Sequence, residues 1–543
     1  ARDSTFLLGS TGHGDAQLTV NGAPVRVHPN GAWLAWVAMP PRDASRFEVV
    51  ATLAGGPVQR VSVPVRRPAP RRALGPTELV DSTSVVPRPG LALRADEPVR
   101  VAARVAPGAR VSLVPASTPD TVLPLLVDGE QAVRELPARL LRGGASLLVA
   151  RGGDSVRLAV PAVGDGDALP LVRVGRVSAD TDAVVVARPV AGGTYKWFLL
   201  PGTVLRASGR QGDALRVRLD RQLDVWIDSA QATPLPEGTP EPRRVIGNAR
   251  VVPADDWVDV VLPVSAHPAW RVEAEGTSLR LTLHGATADA DVIWFTRADA
   301  YVRDVTWTND ASDRAVVTVS LAAPAFGWLV LWRGDALVLR VRRPPRVDAA
   351  SPLRGLRIAV DPGHPPAGST GPTGLYEGDA TLAVGMVVRD LLRERGAEPV
   401  LTRTTPDAVP LADRPVLARR VNAHAFVSIH LNALPDGANP FAARGSGTYF
   451  FHAPSASLAR AIQARLVARL GLADNGTWYD NLAVVRPSWM PSVLVEGAYL
   501  IVPEQEAALR TPAFRRAYAL AIVEGLEAWF AALASPAVPS PPR

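Results

Sequence analysis

Leu356-Arg357-Ile358-Ala359-Val360, followed at once by Asp361-Pro362-Gly363-His364, reads as a short buried strand that stops abruptly. Ile358 and Val360 supply its apolar side, and Pro362-Gly363 break the pattern. His364 is thereby delivered at the carboxyl tip of a strand, the edge where open α/β sheets hold their ligands. A lone histidine after a strand proves little. Two further residues make it a candidate site: Glu377, within Tyr376-Glu377-Gly378-Asp379-Ala380-Thr381-Leu382, and His430, within Val427-Ser428-Ile429-His430-Leu431-Asn432.

Around this stretch, strand-like and helix-like segments alternate as a βαβ sheet requires. Val384, Val387, Val388, Leu391 and Leu392 follow helical spacing, in a helix expected to begin near Thr381 with Asp379 or Thr381 as its cap. Gly396 stands where that helix should end. Strand-like Pro399 to Thr402 follows, then a helix to about Asn422, a strand through His430 and another at Gly447 to Phe451. A helix is expected over Leu458 to Leu470, and Val493-Leu494-Val495 is a short apolar strand ending at Glu496. Thr511 caps a last helix whose first position is Pro512 and which runs to about Leu533, before a proline-rich tail.

The 543 residues exceed one core, and about three to five domains are expected at this length. A hydrophobic fraction of 47% with 20% charged residues is that of a folded globular chain. The net charge of +7 is carried almost wholly by arginine, since Lys196 is the one lysine. No basic run is interleaved with aromatics, which argues against nucleic acid as a partner and leaves an anionic cell-wall polymer as the better match. Cysteine is absent, excluding disulfides, thiolate metal sites and cysteine nucleophiles. No uninterrupted apolar run reaches the ~20 residues of a membrane span. The chain opens at Ala1 without methionine, as a processed chain would.

Residues 1–70 read as a small β module, with Leu18-Thr19-Val20 and Val25-Arg26-Val27 flanking an Asn21-Gly22 turn. It resembles bacterial immunoglobulin-like modules. Arg66 to Pro76 is linker chemistry. Residues 86–165 are expected to form a second β module of unassigned role, with strand-like pieces from about Leu91 to Val163. Residues 168–235 form a third, similar in size and in its closing Val225-Trp226-Ile227 to an Src-homology-3-like barrel. Pro234 to Arg244 is a second linker. Residues 243–345 again alternate, and hold six of the thirteen tryptophans: Trp257, Trp270, Trp294, Trp307, Trp328 and Trp332. These either fill a core or, where exposed, stack on sugar rings. Arg342 to Leu353 reads as a third linker. No helical-period module is expected before residue 350.

His364, Glu377 and His430 match the three protein ligands that catalytic zinc takes while a fourth position stays open. Each lies at a strand or helix end, so one sheet edge can gather all three. From about Leu353 to Phe530 the chain resembles the zinc-dependent N-acetylmuramoyl-L-alanine amidases. The resemblance rests on Asp361-Pro362-Gly363-His364, Glu377 before a helix, Thr402-Arg403, Arg414, Asn422, Ser428-Ile429-His430-Leu431-Asn432-Ala433 and Pro491-Ser492-Val493-Leu494-Val495-Glu496-Gly497.

It implies a fold and an activity: several small all-β modules, then an α/β open-sheet zinc amidase domain over residues 353–533, cleaving the lactyl-to-L-Ala amide of peptidoglycan. His364, Glu377 and His430 are then the Zn2+ ligands and Glu496 the catalytic carboxylate, rather than an ordinary ion-paired glutamate. Residues 243–345, placed just before such a domain, resemble an amidase N-terminal (AMIN) targeting domain. A periplasmic or secreted, wall-associated protein follows, with other wall or division proteins as further candidate partners. The alternatives are a wall-binding scaffold whose amidase fold is silent, and a zinc hydrolase of another N-acyl amino acid.

Asn432 and Arg403 are substrate-binding candidates that could equally support the fold. Asp361 could orient a ligand histidine or cap a turn. Pro365-Pro366 depart from the glycines usual after the first ligand, so the near wall of the site should differ. His424 is expected at the far end of its strand from His430, and His452 to be structural. The segment Leu434 to Gly447 is too short and too rich in proline and glycine to form a blocking helix, so an open site is expected.

Overall fold

The computed structural model describes residues 3–41, 45–53, 56–65, 73–175, 184–442 and 444–534. Four β-built regions precede one α/β unit. The expected linker Arg66–Pro76 lies mostly outside the described residues.

The first region pairs Ser4–Ser10 with Ala32–Ala38, against a four-stranded sheet that includes Gln17–Val20 and Arg46–Thr52. Asn21 and Gly22 turn the hairpin with φ of 48° and 80°, the left-handed pair such a two-residue turn needs. Trp33, Phe47, Leu18 and Val20 form its core. The second region stacks two four-stranded sheets over a core of its own. It takes in Val80–Val86, paired with Pro98–Val105, so it begins ahead of residue 86. In the third, Leu171–Val174, Val204–Gln211, Ala214–Asp220 and Leu223–Asp228 run antiparallel in series, and Ala232–Pro234 returns to Leu171–Val174.

The fourth is a sandwich of a six-stranded and a five-stranded sheet around Val251, Val260, Leu281, Val319 and Leu339. Strands Val185–Ala187 and Trp197–Leu199 of the third region extend its larger sheet. Among the described residues before 350, the helical elements are two short 3-10 turns, Ala138–Leu141 and Ser229–Gln231. Of the sandwich tryptophans, Trp294 is well exposed while Trp328 is core.

Arg342 corrects the third linker. It ends strand Ala336–Arg342, and its guanidinium donates to the carbonyls of Ala423 (2.6 Å), Trp489 (3.1 Å) and Asn422 (3.1 Å). Trp328 and Ser488 exchange two further bonds of 2.8 Å. Nothing larger than hydrogen fits at Gly327, where a Cβ would stand 2.2 Å from the Trp489 carbonyl oxygen. The sandwich is thus bonded to the α/β unit rather than strung from it.

The α/β unit comprises β1 (Arg357–Pro362), α1 (Glu377–Glu394), β2 (Glu398–Leu401), α2 (Asp413–Arg420), β3 (Ala425–Asn432), β4 (Ser446–Phe450), α3 (Ser455–Leu470), β5 (Asp474–Tyr479), β6 (Ser492–Tyr499), α4 (Pro503–Leu509) and α5 (Pro512–Ala534). The sheet order is β2-β1-β3-β6-β4-β5. The first four strands are parallel, and β4 opposes β6. Ile358, Val360, Val427, Ile429, Val493 and Val495 face α1, α3 and α5. Ala359, Phe426 and Leu494 face α2, Trp489 and the sandwich's Trp257 and Leu329. Strands buried on both faces read as continuous apolar runs, as these do.

α1 begins at Glu377 itself, four residues before Thr381, and its N-cap Tyr376 makes no side-chain cap bond. α3 likewise begins at Ser455, ahead of Leu458. Glu496 lies inside β6 rather than at its end, because Gly497-Ala498-Tyr499 continue the strand. Among the described residues α5 is the helix long and apolar enough to cross a membrane. It packs instead in this core, with Tyr518, Ile522, Val523, Leu526 and Phe530 fully buried.

Candidate metal centre

β1 lies between β2 and β3, and the chain passes from β1 to β2 on one side and then crosses to β3 on the other. This reversal opens a crevice at the carboxyl ends of β1 and β3. His364 follows β1 and His430 lies near the end of β3, so both reach that crevice. Glu377 arrives from across it, on the first turn of α1.

The three side chains meet. Their candidate ligand atoms all lie within 4.8 Å of one another. Glu377 Oε1 is 3.2 Å from His364 Nε2 and 3.3 Å from His430 Nδ1. Its other oxygen, Oε2, accepts from the Ser369 backbone N–H (3.0 Å) and hydroxyl (2.9 Å), which fixes the carboxylate's orientation. His364, at φ 56°, sets Nδ1 3.2 Å from the Pro366 carbonyl, leaving Nε2 for the crevice. Such a bond to the remote ring nitrogen is how metal-binding histidines are usually oriented.

Burial alone would raise the Glu377 carboxyl, but hydrogen bonding to both imidazoles and Ser369 holds it well below the ordinary carboxylate range. Burial works to lower the His364 imidazole, and the Glu377 carboxylate more than offsets this, raising it. Two imidazoles crowding one ionised carboxylate form a donor set for a divalent cation, with the two-histidine, one-carboxylate composition that zinc hydrolases use. At Gly363 an added Cβ would stand 2.5 Å from the His430 ring, so only glycine admits that imidazole.

Glu496 pairs with His430 in the parallel register of β3 and β6, which places it on the same face one strand away. Its Oε2 is buried without a hydrogen-bond partner. Burial, then the charge of Glu377, push its carboxyl well above the usual range. A carboxylate left unpaired at such a cost is the kind of group that moves protons.

Asp361 orients neither histidine. It is fully buried and accepts from Arg414 (2.8 Å), Ser428 (2.6 Å) and Thr402 (2.5 Å). Arg403 is also buried, and its guanidinium is spent on the carbonyls of Pro362, Gly363, Gly378 and Thr405. These bonds give it a fold-supporting role, one of the two expected of it. Asn432 remains at the crevice, half-buried at the end of β3. The Pro365 carbonyl accepts from Arg414 at 2.7 Å, so the Pro365-Pro366 wall is tied to the Asp361 cluster.

Thr381 donates to the Gly363 carbonyl at 2.6 Å instead of capping α1. His424 accepts the Arg357 N–H at the other end of β3, and burial lowers its imidazole to about 4. His452 is half-buried, 2.8 Å from the Arg486 carbonyl, and desolvation likewise lowers its imidazole to about 4.

Three supports escaped the sequence reading. Ser369 holds Glu377, as above. Glu506 is fully buried on α4 and accepts from Thr373 and Leu375, stapling the loop between His364 and Glu377. Tyr518 on α5 accepts from the Gly497 N–H at 2.9 Å and stands 2.9 Å from the Val495 carbonyl and 3.1 Å from that of His430, linking β6 to β3. Among the described residues of 434–445 there are turns and no helix. Leu34, Phe6 and Leu8 of the first β region pack on Tyr499, Ile501, Val502 and Leu434 beside this edge.

The profile of the family described as N-acetylmuramoyl-L-alanine amidase matches residues 358–528. The chain is similar to the uncharacterized protein YqiI of Bacillus subtilis, 34% identical over 208 residues that cover 37% of this chain and 98% of that protein. It is also similar to the probable cell wall amidase LytH of Staphylococcus epidermidis, 31% identical over 38% of this chain and 67% of that protein. A solved structure, the N-acetylmuramoyl-L-alanine amidase AmiC2 of Nostoc punctiforme, aligns at 33% identity over 32% of this chain and 94% of its own, with a TM-score of 0.30.

Proposed function

This chain belongs to the N-acetylmuramoyl-L-alanine amidase family, and on that premise we propose that it is a zinc-dependent peptidoglycan amidase whose site is His364, Glu377, His430 and Glu496. It hydrolyses the amide between the lactyl group of N-acetylmuramic acid and the L-alanine of the stem peptide. The observation that carries the zinc assignment is the convergence of two imidazoles and one carboxylate within 4.8 Å, beside a buried unpaired acid. Bonds of about 2.0–2.2 Å to a shared ion are within reach of that cluster.

His364, Glu377 and His430 would hold a zinc ion, which would supply Lewis acidity to a water molecule and to the scissile carbonyl. Glu496 Oε2 takes the proton of the attacking water, and the protonated Glu496 returns it to the leaving L-alanine nitrogen. Its Oε2, buried without a hydrogen-bond partner, is left for that exchange. Asn432 orients the substrate from the end of β3. Ser369, Glu506 and Tyr518 hold the ligand-bearing segments and touch no reacting atom. The sandwich of residues 243–345 serves as an AMIN-like unit that presents the enzyme to the wall, in a cell-wall or extracellular setting.

Digestion of purified sacculi tests this. Wild type should release stem peptides with new L-alanine amino termini, and Glu496→Gln should keep its zinc while hydrolysis falls by about 10²–10⁴-fold. Loss of zinc in Glu496→Gln would make Glu496 a ligand instead.

A further inference from the structure

Leu7 and Trp33 pack into the core of the first β region, but their chain neighbours do not. In the pairing of Ser4–Ser10 with Ala32–Ala38, Leu8 stands opposite Leu34 and Phe6 opposite Trp36. Side chains alternate along a strand, so Phe6, Leu8 and Leu34 share the face turned away from Leu18, Val20 and Phe47. Contiguous apolar surface of this kind on a small module marks an interaction site. Its cover here belongs to the same chain. Leu34, Tyr499, Ile501 and Val502 are buried in one cluster, with Leu434 packed beside them. His28 adds a polar contact, its Nδ1 lying 3.7 Å from Glu504 Oε1.

The covered stretch is the turn between two parts of the site. Tyr499 ends β6, which carries Glu496, and Val502 is the N-cap of α4. Two side chains of α4 then hold the walls of the crevice. Gln505 accepts from the Tyr499 N–H (2.7 Å) and donates to the Arg444 carbonyl (2.6 Å), fixing the segment that follows Asn432. Glu506 accepts from the Thr373 N–H (3.0 Å), the Thr373 hydroxyl (2.8 Å) and the Leu375 N–H (3.2 Å). Leu375 is two residues before Glu377. Contact made at Leu34 therefore reaches the metal cluster in three steps: the turn, α4 and the loop that α4 staples.

We infer that the first β region is a built-in brace of the metal crevice, and that Leu34 is a positioning residue acting on Glu377 through α4. The inference rests on the amidase reading above. Leu34 touches no reacting atom and is not used by the core of its own module, so the apolar contact with the turn is its role. A loop held by few contacts opens locally unless something packs on it. Misplacing a site group by about 1 Å can cost on the order of 10²-fold in rate, even when the cause is remote.

The test uses the full chain loaded with zinc, carrying Leu34→Asp, which sets a charge in the apolar contact, or Leu34→Ile, which keeps it apolar. Amide exchange is read at Thr373 and Leu375, whose N–H groups Glu506 holds. Leu34→Asp should speed exchange at both by about tenfold, and Leu34→Ile should match wild type. On a soluble muramoyl peptide, Leu34→Asp should lower kcat by about 10–10²-fold and leave KM within about twofold. Detachment of the whole first region by Leu34→Asp removes the brace and predicts the same two results. Unchanged exchange at Thr373 and Leu375, or an unchanged kcat, overturns the inference whatever happens to the melting temperature. A loss confined to KM overturns it as well, since it would place Leu34 in substrate binding. Failure of the amidase reading would look different: wild type would release no stem peptide, while the exchange result would still decide the brace.

Discussion

Ionisation of Glu496 is opposed by burial and by the neighbouring charge of Glu377, so the folded chain binds that proton more tightly than the unfolded chain does. The sign follows. Below about pH 4.3, the ordinary glutamate value, both states are protonated and the group has no effect. As pH rises above that value the unfolded state loses the proton first, and stability of the metal-stripped protein falls until the folded-state pKa is passed. Metal-stripped Glu496→Gln should therefore melt higher than metal-stripped wild type at pH 7–8, with the gain gone near pH 4, as read by paired thermal scans. Glu377 has the opposite sign: its lowered carboxyl contributes stability above the ordinary value that is lost as pH falls. The grouping of His364, Glu377 and His430 was legible in the sequence, from a Pro-Gly break after an apolar strand, a glutamate ahead of a helical period and a histidine late in an apolar run. Ser369, Glu506 and Tyr518 were not, because their roles exist only through contacts made in the fold. Glu506 meets Thr373 across 133 residues, a distance no motif spans.

At the level of elements, the crevice depends on how β1 is anchored. Asp361 is fully buried and Arg414 from α2 is its cationic partner, also bonding Pro362 and Pro365 on the segment that carries His364. Removing one member of such a pair leaves an uncompensated buried charge, at a cost of about 3–5 kcal/mol. Arg414→Ala should lower stability by that order in denaturant titration and loosen metal retention at the same time. A loss below about 1 kcal/mol would mean that the pair is not what fixes the β1 end. The alternation of strand and helix past residue 353 was readable from apolar period alone. Element edges were not: Glu377 opens α1 because the Ser369 loop and the two imidazoles fix it, which periodicity beginning at Val384 does not reveal. Strand Asp474–Tyr479 and helix Pro503–Leu509 escaped because each is short and defined by its neighbours.

For the whole molecule, the sandwich and the α/β unit are joined by direct bonds. Arg342 bonds three carbonyls across the junction, and the sandwich's Phe326 lies 6.2 Å from the Trp529 ring of α5. Arg342→Ala leaves those buried acceptors unpaired, at about 1–3 kcal/mol for a group so stranded. It should lower the melting temperature of the whole chain. Two separate transitions, with the α/β one unmoved by the variant, would show the units to be independent. The sequence read Arg342 as linker because a charged residue before Arg343-Pro344-Pro345 looks solvated. Only the facing Asn422, Ala423 and Trp489 carbonyls reveal otherwise.

On the proposed mechanism His364, Glu377 and His430 share one catalytic ion. Its most direct measurement is the rate of stem-peptide release from sacculi as metal-stripped enzyme is titrated with zinc. No release is expected without metal, followed by a linear rise that breaks at one zinc per chain. Full release by the metal-stripped enzyme, or a break absent at that ratio, would contradict it.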